Sequence, residues 1–182
     1  MIKMNIGCGR RNFGPDWIHV DKADYPHIDY NGVYLGPYRR NSVDLIYASH
    51  LIAYFDRQEI VPIFQSWFDV LCPGGTLRIA TPDFRALTEV YANGYDLASI
   101  LGPLYGRMEM NGELIYHKTV WDSQDLHRVL YDVGFTNFRH YDHRMTDHPN
   151  TGNREDRYDD HSAAYIGDTL ISLNIECQKP EE

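Results

Sequence analysis

Residues 4–9 read Met-Asn-Ile-Gly-Cys-Gly, and the apolar run Trp-Ile-His-Val at 17–20 leads directly into Asp21. A strand that ends in Gly-x-Gly lets the main chain pass close to a ligand, because neither glycine carries a Cβ. A carboxylate at the tip of the next strand can then accept both hydroxyls of a ribose. Together these residues favour a nucleoside site, although a plain tight turn would use the same glycines.

The segments that follow alternate between strand and helix. Residues 43–50 (Val-Asp-Leu-Ile-Tyr-Ala-Ser-His) form an apolar run that ends in small and polar side chains, and a helix-length segment covers 57–71. The turn Cys-Pro-Gly-Gly at 72–75 leads into a second apolar run at 76–80. Such alternation predicts a parallel sheet with helices on both faces.

In this order, the motifs resemble those of the class I S-adenosylmethionine-dependent methyltransferases over roughly residues 3–85. The likeness extends to Val-Gly-Phe at 133–135 and Leu-Asn-Ile-Glu-Cys at 173–177, which resemble the penultimate turn and the last strand of that family. Among its members, the chain is most similar to a compact bacterial, type-11-like subgroup. The resemblance implies one methyltransferase-like domain over residues 1–182, with S-adenosylmethionine (SAM) as cofactor.

The fold class that follows is α/β, a Rossmann-like doubly wound sheet of seven mostly parallel strands with an antiparallel strand near the C-terminus. We expect strands near residues 3–6, 17–21, 27–30, 43–48, 75–80, 136–142 and 169–178, and helices near 57–71, 83–93 and 122–133. In the last strand apolar and polar residues alternate, which predicts a half-exposed strand at or near an edge of the sheet.

One departure from the family concerns the first crossover. Only seven residues separate Gly9 from Trp17, whereas a parallel connection normally needs a dozen or more with its helix. Gly14 and Pro15 also disfavour a helix there. The first crossover helix must therefore be short or missing, and the cofactor site should be open on that side.

Composition narrows the functional classes. The chain has 182 residues, a formal net charge of −9 and three well-separated cysteines. An acidic surface repels phosphate backbones, so we expect no nucleic-acid partner. No apolar run is long enough for a membrane span, and we expect neither a signal peptide nor a membrane partner. Scattered cysteines are typical of a reducing compartment, so the predicted location is cytoplasmic.

Two irregular segments, 94–121 and 143–162, are interpreted as substrate-covering or flexible inserts. The second holds several histidines and acids, and His140 lies three residues before His143. Ligands three apart on a strand point to opposite faces, so we predict a solvated loop and no metal site.

The candidate cofactor residues come from the three strand ends and from the resemblance. Gly7 and Gly9 would face the methionyl part, Asp21 the ribose and Asp29 the adenine, while residues 48–50 lie at the expected topological switch point. Arg10 and Arg11 could replace the positive charge of the missing helix terminus. The full set is Asn5, Gly7, Cys8, Gly9, Asp21, Lys22, Asp29, Ala48, Ser49 and His50.

The candidate catalytic residues are fewer, because the methyl donor is already activated and positioning supplies much of the rate. His50 is the first candidate general base, since its pKa range suits proton transfer near neutral pH; it could instead only line the pocket. Asp83 is the second candidate, and it could instead cap the following helix. His117 is a third residue that could reach the cleft.

The predicted function is methyl transfer from SAM to a small-molecule or saccharide-type acceptor, at oxygen, the saccharide class resting on the resemblance alone. The alternative is a non-catalytic SAM- or nucleoside-binding or interaction subunit, and a homodimer is compatible with the sequence. A dehydrogenase is disfavoured because the third glycine and the long helix after the turn are absent. The chain also lacks the Asn-Pro-Pro-Tyr or Asp-Pro-Pro-Tyr motif that amino-methylating enzymes acting on nucleic-acid bases share.

Overall fold

The computed structural model describes residues 1–146 and 161–181. Its strands and helices, in chain order, are β1 (Lys3–Ile6), β2 (Trp17–Val20), β3 (Val43–Ser49), α1 (Ile60–Val70), β4 (Leu71–Pro82), α2 (Phe84–Ala92), α3 (Leu97–Tyr105), β5 (Met108–Met110), β6 (Glu113–Ile115), α4 (Ser123–Val133), β7 (Thr136–His140), β8 (Tyr165–Ile166), β9 (Thr169–Leu170) and β10 (Ser172–Gln178). Short 3₁₀ turns occupy Ile52–Tyr54, His143–Met145 and His161–Ala163.

The central sheet has six strands in the order β2-β1-β3-β4-β10-β7. Strands β2, β1, β3 and β4 pair in parallel, whereas β10 runs antiparallel to both of its neighbours. The predicted α/β class and the antiparallel C-terminal strand are therefore confirmed. Three of the helices, α1, α2 and α4, fall where the sequence predicts them, and α3 was not predicted.

The prediction of seven strands was wrong by one. Residues 27–30 contribute only a single parallel bridge, between Val20 and Tyr30. The reason is local, because the main chain turns at residues 25–28, where the Ile28 N–H donates to the Tyr25 carbonyl at 3.1 Å. Residues 27 and 28 therefore belong to the turn and do not extend a strand.

The prediction of a half-exposed last strand was also wrong. Strand β10 lies between β4 and β7, and six of its seven residues are buried. Its polar side chains are satisfied internally. Glu176, for example, pairs with Arg78 on β4 and accepts a hydrogen bond from Arg139 on β7. Because both edges of β10 are paired, this strand has no open edge at which another strand could add.

The first crossover contains no helix, as predicted, and residues 7–16 form turns. An aromatic cluster that includes Phe13 packs on the sheet face beside this helix-free connection. Phe13 stacks on Tyr47 at 5.9 Å between ring centroids and meets Trp17 edge-on at 5.1 Å. These side chains form a separate small core with Leu45, against which Tyr141 packs.

Phe13→Ala should lower the free energy of unfolding by about 3 kcal/mol, because the substitution removes a buried ring that no helix can replace. Tyr131→Ala, at a side chain 64% exposed, is the matched control and should change stability by less than about 0.5 kcal/mol. Urea unfolding followed by circular dichroism measures both. Equal stabilities for the two variants would contradict the covering role of Phe13.

His19 on β2 anchors the connection between β1 and β2 through a hydrogen bond to Phe13. Its Nε2 accepts the Phe13 N–H at 2.8 Å, so this nitrogen carries no proton in the folded chain. Burial, and then the neighbouring His27, lower the His19 pKa, while Asp29 opposes that shift. Asp29 also accepts the His19 N–H at 2.7 Å, which ties residues 27–30 to the edge of the sheet.

This lowered pKa predicts a pH dependence of stability. The unfolded chain binds a proton at His19 near the ordinary histidine pKa of about 6.5, and the folded chain only at lower pH. Stability should therefore fall as the pH drops from 7 to 5, and His19→Gln should fall less steeply than the wild type. His127→Gln, at an exposed position on α4, should keep the wild-type slope. Identical slopes for wild type and His19→Gln in urea titrations would refute this prediction.

The opposite face of the sheet packs against α1 and α4. Helix α1 buries Ile60, Ile63, Phe64, Trp67 and Val70 in the main core. Among residues 1–146 and 161–181, no helix combines the length and the apolar character that crossing a lipid bilayer requires.

Candidate functional site

Three strand ends meet at one cavity of about 1680 Å³. Seven of the ten predicted cofactor residues line it, six of them on the turns that directly follow β1, β2 and β3 and one at the last position of β3. They are Gly7, Cys8, Gly9, Asp21, Lys22, Ser49 and His50. Arg10 and Arg11 lie at the same wall.

The other three predicted cofactor residues do not line this cavity. Asn5 is buried within β1, and Ala48, within β3, belongs to the main core. Asp29 is engaged with His19 at the outer side of β2. The structure thus brings together the residues at or just after the strand ends, and leaves apart the two inside the strands and Asp29.

Asp21 organises the glycine turn. One of its carboxylate oxygens accepts the Gly9 N–H and the other the Ala23 N–H, each at 2.8 Å. The Gly7 N–H donates to the Val20 carbonyl at 2.7 Å, which joins the ends of β1 and β2. Each carboxylate oxygen has two lone pairs, so Asp21 retains acceptor capacity for ligand hydroxyls.

The two glycines of the turn have different neighbours. Both have positive φ, +68° at Gly7 and +56° at Gly9. A Cβ at Gly7 would lie 2.9 Å from side-chain atoms of Leu51, whereas a Cβ at Gly9 would meet nothing within 4 Å. Packing against Leu51 therefore requires glycine at position 7, whereas Gly9 leaves open space beside the cavity.

Gly7→Ala should cost about 3 kcal/mol of stability, because backbone strain and a clash with Leu51 add. Gly9→Ala should cost only about 1 kcal/mol, since the strain acts alone. Gly36→Ala, where a Cβ meets nothing within 4 Å and φ is not in the left-handed range, should be nearly neutral. Chemical unfolding of the three variants tests the order, and a Gly9→Ala loss as large as that of Gly7→Ala would contradict it.

Cys8 lies inside the turn as a neutral thiol. Burial, with a smaller contribution from Asp21, raises the pKa of Cys8 to about 12. A thiol of this kind is a poor nucleophile. Cys8 therefore belongs to the wall of the cavity and not to its chemistry.

His50 directly follows β3 in a left-handed conformation, with φ of +52°. Its N–H donates to the Ala80 carbonyl at 2.7 Å, and its Nε2 lies 3.2 Å from the Ser172 hydroxyl on β10. The His161 ring is 5.0 Å away between centroids. A strained non-glycine residue at a strand end, facing a cavity, is characteristic of functional sites.

Asp83 caps helix α2, which was the alternative to its predicted catalytic role. It is the N-cap of α2, and its carboxylate accepts the Arg85 N–H at 3.0 Å and the Ala86 N–H at 3.4 Å. Burial raises the pKa of this carboxyl. Asp83 is not among the residues that line the large cavity.

The opposite wall comes from residues 101–118, within the predicted insert 94–121. The end of α3 and the β5–β6 hairpin present mostly apolar and aromatic side chains to the cavity. These are Leu101, Pro103, Tyr105, Met108, Met110, Leu114, Ile115 and Tyr116. Whether they cover a substrate stays a prediction.

Three contacts fix this wall. Tyr54 donates its hydroxyl to the Gly106 carbonyl at 2.6 Å and packs edge-on against His117, whose pKa burial lowers. At the hairpin tip, Asn111 donates to the Lys22 carbonyl at 3.2 Å, across the cavity mouth. The dipeptide Asn111-Gly112 is a hairpin signal that the sequence carries and the element prediction missed.

The second insert lies only partly within the described residues. Within the insert, His161 lines the cavity, whereas residues 147–160, with His148 and five acids, lie outside the described part. His140 contacts the Ser123 hydroxyl, and His143 packs near Tyr165. In the ranges that are described, no three His, Cys, Asp or Glu side chains are grouped as metal ligands.

Comparison with solved structures identifies the fold. The chain aligns over 100% of its length with 93% of a SAM-dependent methyltransferase from Methanosarcina mazei, at a TM-score of 0.60 and 16% identity. A SAM-dependent methyltransferase from Archaeoglobus fulgidus gives a TM-score of 0.58 at 15% identity, over 98% of this chain and 86% of that one.

The chain has the class I methyltransferase fold. Human N-acetylserotonin methyltransferase, solved in complex with SAM, has the same fold, with a TM-score of 0.55 at 12% identity over 98% of this chain and 47% of that one. No family model matches the sequence, and a search of curated proteins finds no match. In this methyltransferase fold the cavity lies at the carboxyl ends of β1, β2 and β3, the position expected for a ligand.

Proposed function

We propose that this chain binds SAM at the Gly7–Gly9 turn and Asp21, and transfers its methyl group to the oxygen of a small-molecule or saccharide-type acceptor. The observation that carries the proposal is the large cavity in which a glycine turn and a carboxylate at neighbouring strand ends face an apolar wall. Its volume of about 1680 Å³ exceeds that of an ordinary one-ligand pocket, about 300–1,000 Å³. Cofactor and acceptor therefore both have room.

The half of the cavity formed by the strand ends, here called the cofactor half, has residues that fit an adenosyl ligand. The space beside Gly9 admits a ligand next to the main chain, and Asp21 has lone pairs for the ribose hydroxyls. Arg10 and Arg11 lie at the same wall and supply positive charge for the methionyl carboxylate. When bound, SAM supplies a methyl group already activated by the sulfonium.

The other half of the cavity, formed by residues 101–118 and here called the acceptor half, orients and shields the methyl acceptor. Tyr105, Tyr116 and the methionines of β5 offer flat, polarisable surfaces against which a ring can pack. Water exclusion by this wall favours a nucleophile that has lost its hydration. His50, at the end of β3, takes the proton from the acceptor hydroxyl.

A non-catalytic binding subunit is the second candidate function. Asp21 already accepts two main-chain hydrogen bonds, and the first crossover lacks the helix whose N-terminus would help to hold an anionic ligand end. Such a protein would bind SAM and form no methylated product. For either function we place the protein in the cytoplasm, because its three cysteines are free and unpaired thiols are typical of reducing compartments.

Calorimetric titration with SAM and S-adenosylhomocysteine, with NAD as the control ligand, tests the proposal. We expect micromolar binding of the adenosyl pair only, weakened by about 1–3 kcal/mol in Asp21→Ala, the range of a lost hydrogen bond to a charged group. Asp16→Ala, at an exposed carboxylate outside the cavity, should bind as the wild type does.

Absence of adenosyl binding by the folded wild type would overturn the proposal, and unchanged affinity in Asp21→Ala would overturn the placement of the ribose. Release of S-adenosylhomocysteine in the presence of hydroxylated small molecules and saccharides then distinguishes an enzyme from a binding subunit.

A further inference from the structure

We infer that the methyl acceptor is a small alcohol or phenol with an uncharged, apolar body that packs against the acceptor half of the cavity, and that it is not a saccharide. The inference rests on the proposed function and narrows its acceptor to one chemical class. It concerns a cavity wall whose large apolar side chains the described part of the chain leaves exposed.

Five large apolar side chains of the acceptor half are exposed although they line a cavity. Their exposed fractions are 39% for Leu101, 54% for Tyr105, 42% for Met108, 49% for Leu114 and 43% for Tyr116. Burial of such side chains is favourable, so a set of them left exposed on one wall marks a binding surface. The part of the chain that the structure describes does not cover this surface, and a ligand with an apolar body would.

Contacts at both ends of the hairpin hold this surface in place. At the base, the Lys118 N–H donates to the Ala53 carbonyl at 2.8 Å, on the turn that follows β3. At the tip, the Asn111 amide donates to the Lys22 carbonyl at 3.2 Å, on the turn that follows β2. A surface that is already positioned loses little conformational entropy when a ligand binds to it.

Charge divides the cavity into two different halves. The cofactor half carries Arg10, Arg11, Asp21, Lys22 and Asp24. The charged side chains of residues 101–118 that line the cavity are Arg107, Glu109 and Lys118. Lys118 is paired with Glu59 at 2.8 Å, and Arg107 and Glu109 have opposite signs. The acceptor half therefore carries no net charge, which favours an uncharged acceptor.

Hydrogen-bonding capacity separates an apolar acceptor from a saccharide. A sugar ring carries several hydroxyls, and each one that is buried needs a partner. Asn111 is already engaged with a main-chain carbonyl, and His117 Nδ1 lies 3.1 Å from the Pro103 carbonyl, which can only accept. The acceptor half therefore offers more apolar surface than free hydrogen-bonding groups.

The position of the surface identifies a small ligand as its occupant. Leu114 and Tyr116 line the same cavity as Gly9 and Asp21, so a molecule packed against them shares one space with the proposed methyl donor. An apolar surface on the outside of the protein would suit a partner protein. This one is the inner wall of a cavity of about 1680 Å³, a concave space of the kind that binds small molecules.

Calorimetric titration with para-alkylphenols, from para-cresol to para-butylphenol, tests the apolar surface and needs no cofactor. Each added methylene should strengthen binding about fourfold, the factor expected when one CH₂ group leaves water. Methyl glucopyranoside, an uncharged saccharide, should bind more weakly than any of the phenols. An affinity that does not depend on chain length, or tighter binding of the glucopyranoside than of para-butylphenol, would overturn the inference.

Leu114→Ser should weaken the binding of para-butylphenol about tenfold, because it removes apolar surface from the acceptor half. Leu114→Met keeps that surface and should bind as the wild type does. Val61→Ser is the matched control, since Val61 is 43% exposed but lies on α1, outside the cavity. Circular dichroism confirms that each variant is folded. Equal affinities of Leu114→Ser and Val61→Ser would place the phenol elsewhere and contradict the inference.

A second copy of the chain is the other occupant that these variants test. We expect one sedimentation coefficient for the wild type, Leu114→Ser and Val61→Ser. A dimer that Leu114→Ser dissociates and Val61→Ser does not would show that two chains bury this surface against each other. That result would also overturn the inference.

Titration with S-adenosylhomocysteine distinguishes failure of this inference from failure of the proposed function. Leu114→Ser should keep the wild-type affinity for S-adenosylhomocysteine, because Leu114 lies in the other half of the cavity. Binding of the adenosyl ligand without a chain-length trend among the phenols would overturn this inference alone. A chain-length trend without adenosyl binding would overturn the proposed function and keep only the apolar site.

Discussion

The hydrogen bond from the Gly9 main chain to Asp21 ties the ends of β1 and β2 together across a connection too short for a helix. A parallel pair normally relies on its crossover helix for both spacing and cover. Here the spacing comes from Asp21 and from the Gly7 N–H on the Val20 carbonyl. The cover comes from Phe13, which is positioned by a hydrogen bond to His19. The glycine turn can therefore keep its place in the fold without the helix that usually follows it.

The loss of that helix is matched by additional structure on the other side of the cavity. The β5–β6 hairpin and the end of α3 enclose the space that the strand ends leave open, and Asn111 reaches back to Lys22 at the mouth. One wall of the cavity thus comes from residues 101–118, while the strand ends of the sheet carry the residues with fixed geometry. Loops and inserts vary in such folds, and rigid strands position the chemistry.

The buried polar side chains of β10 are the second feature that organises the structure. Strand β10 pairs on both sides, yet it carries a serine, an asparagine and a glutamate in its interior. Each must find a partner inside the protein, because a buried polar group without one is destabilising. Glu176 finds two arginines on neighbouring strands, and Asn174 and Ser172 find the Ser162 carbonyl and His50. One strand therefore joins the core of the sheet to the edge of the cavity.

The sequence by itself determined the α/β alternation, the helix-free first crossover and the gathering of Gly7, Gly9, Asp21 and His50 at one edge, because these depend on local spacing and on the direction of parallel strands. Only the tertiary structure decided the rest. Residues 27–30 form a single bridge because the chain turns at 25–28, which leaves only residues 29 and 30 to bond to the main chain of β2 and its end. The alternation in β10 predicted a half-exposed strand at or near an edge. A two-residue period does not show whether the polar side chains face water or partners inside the protein. The partners of Ser172 and Asn174 lie on segments distant in sequence, and only folding brings them to His50.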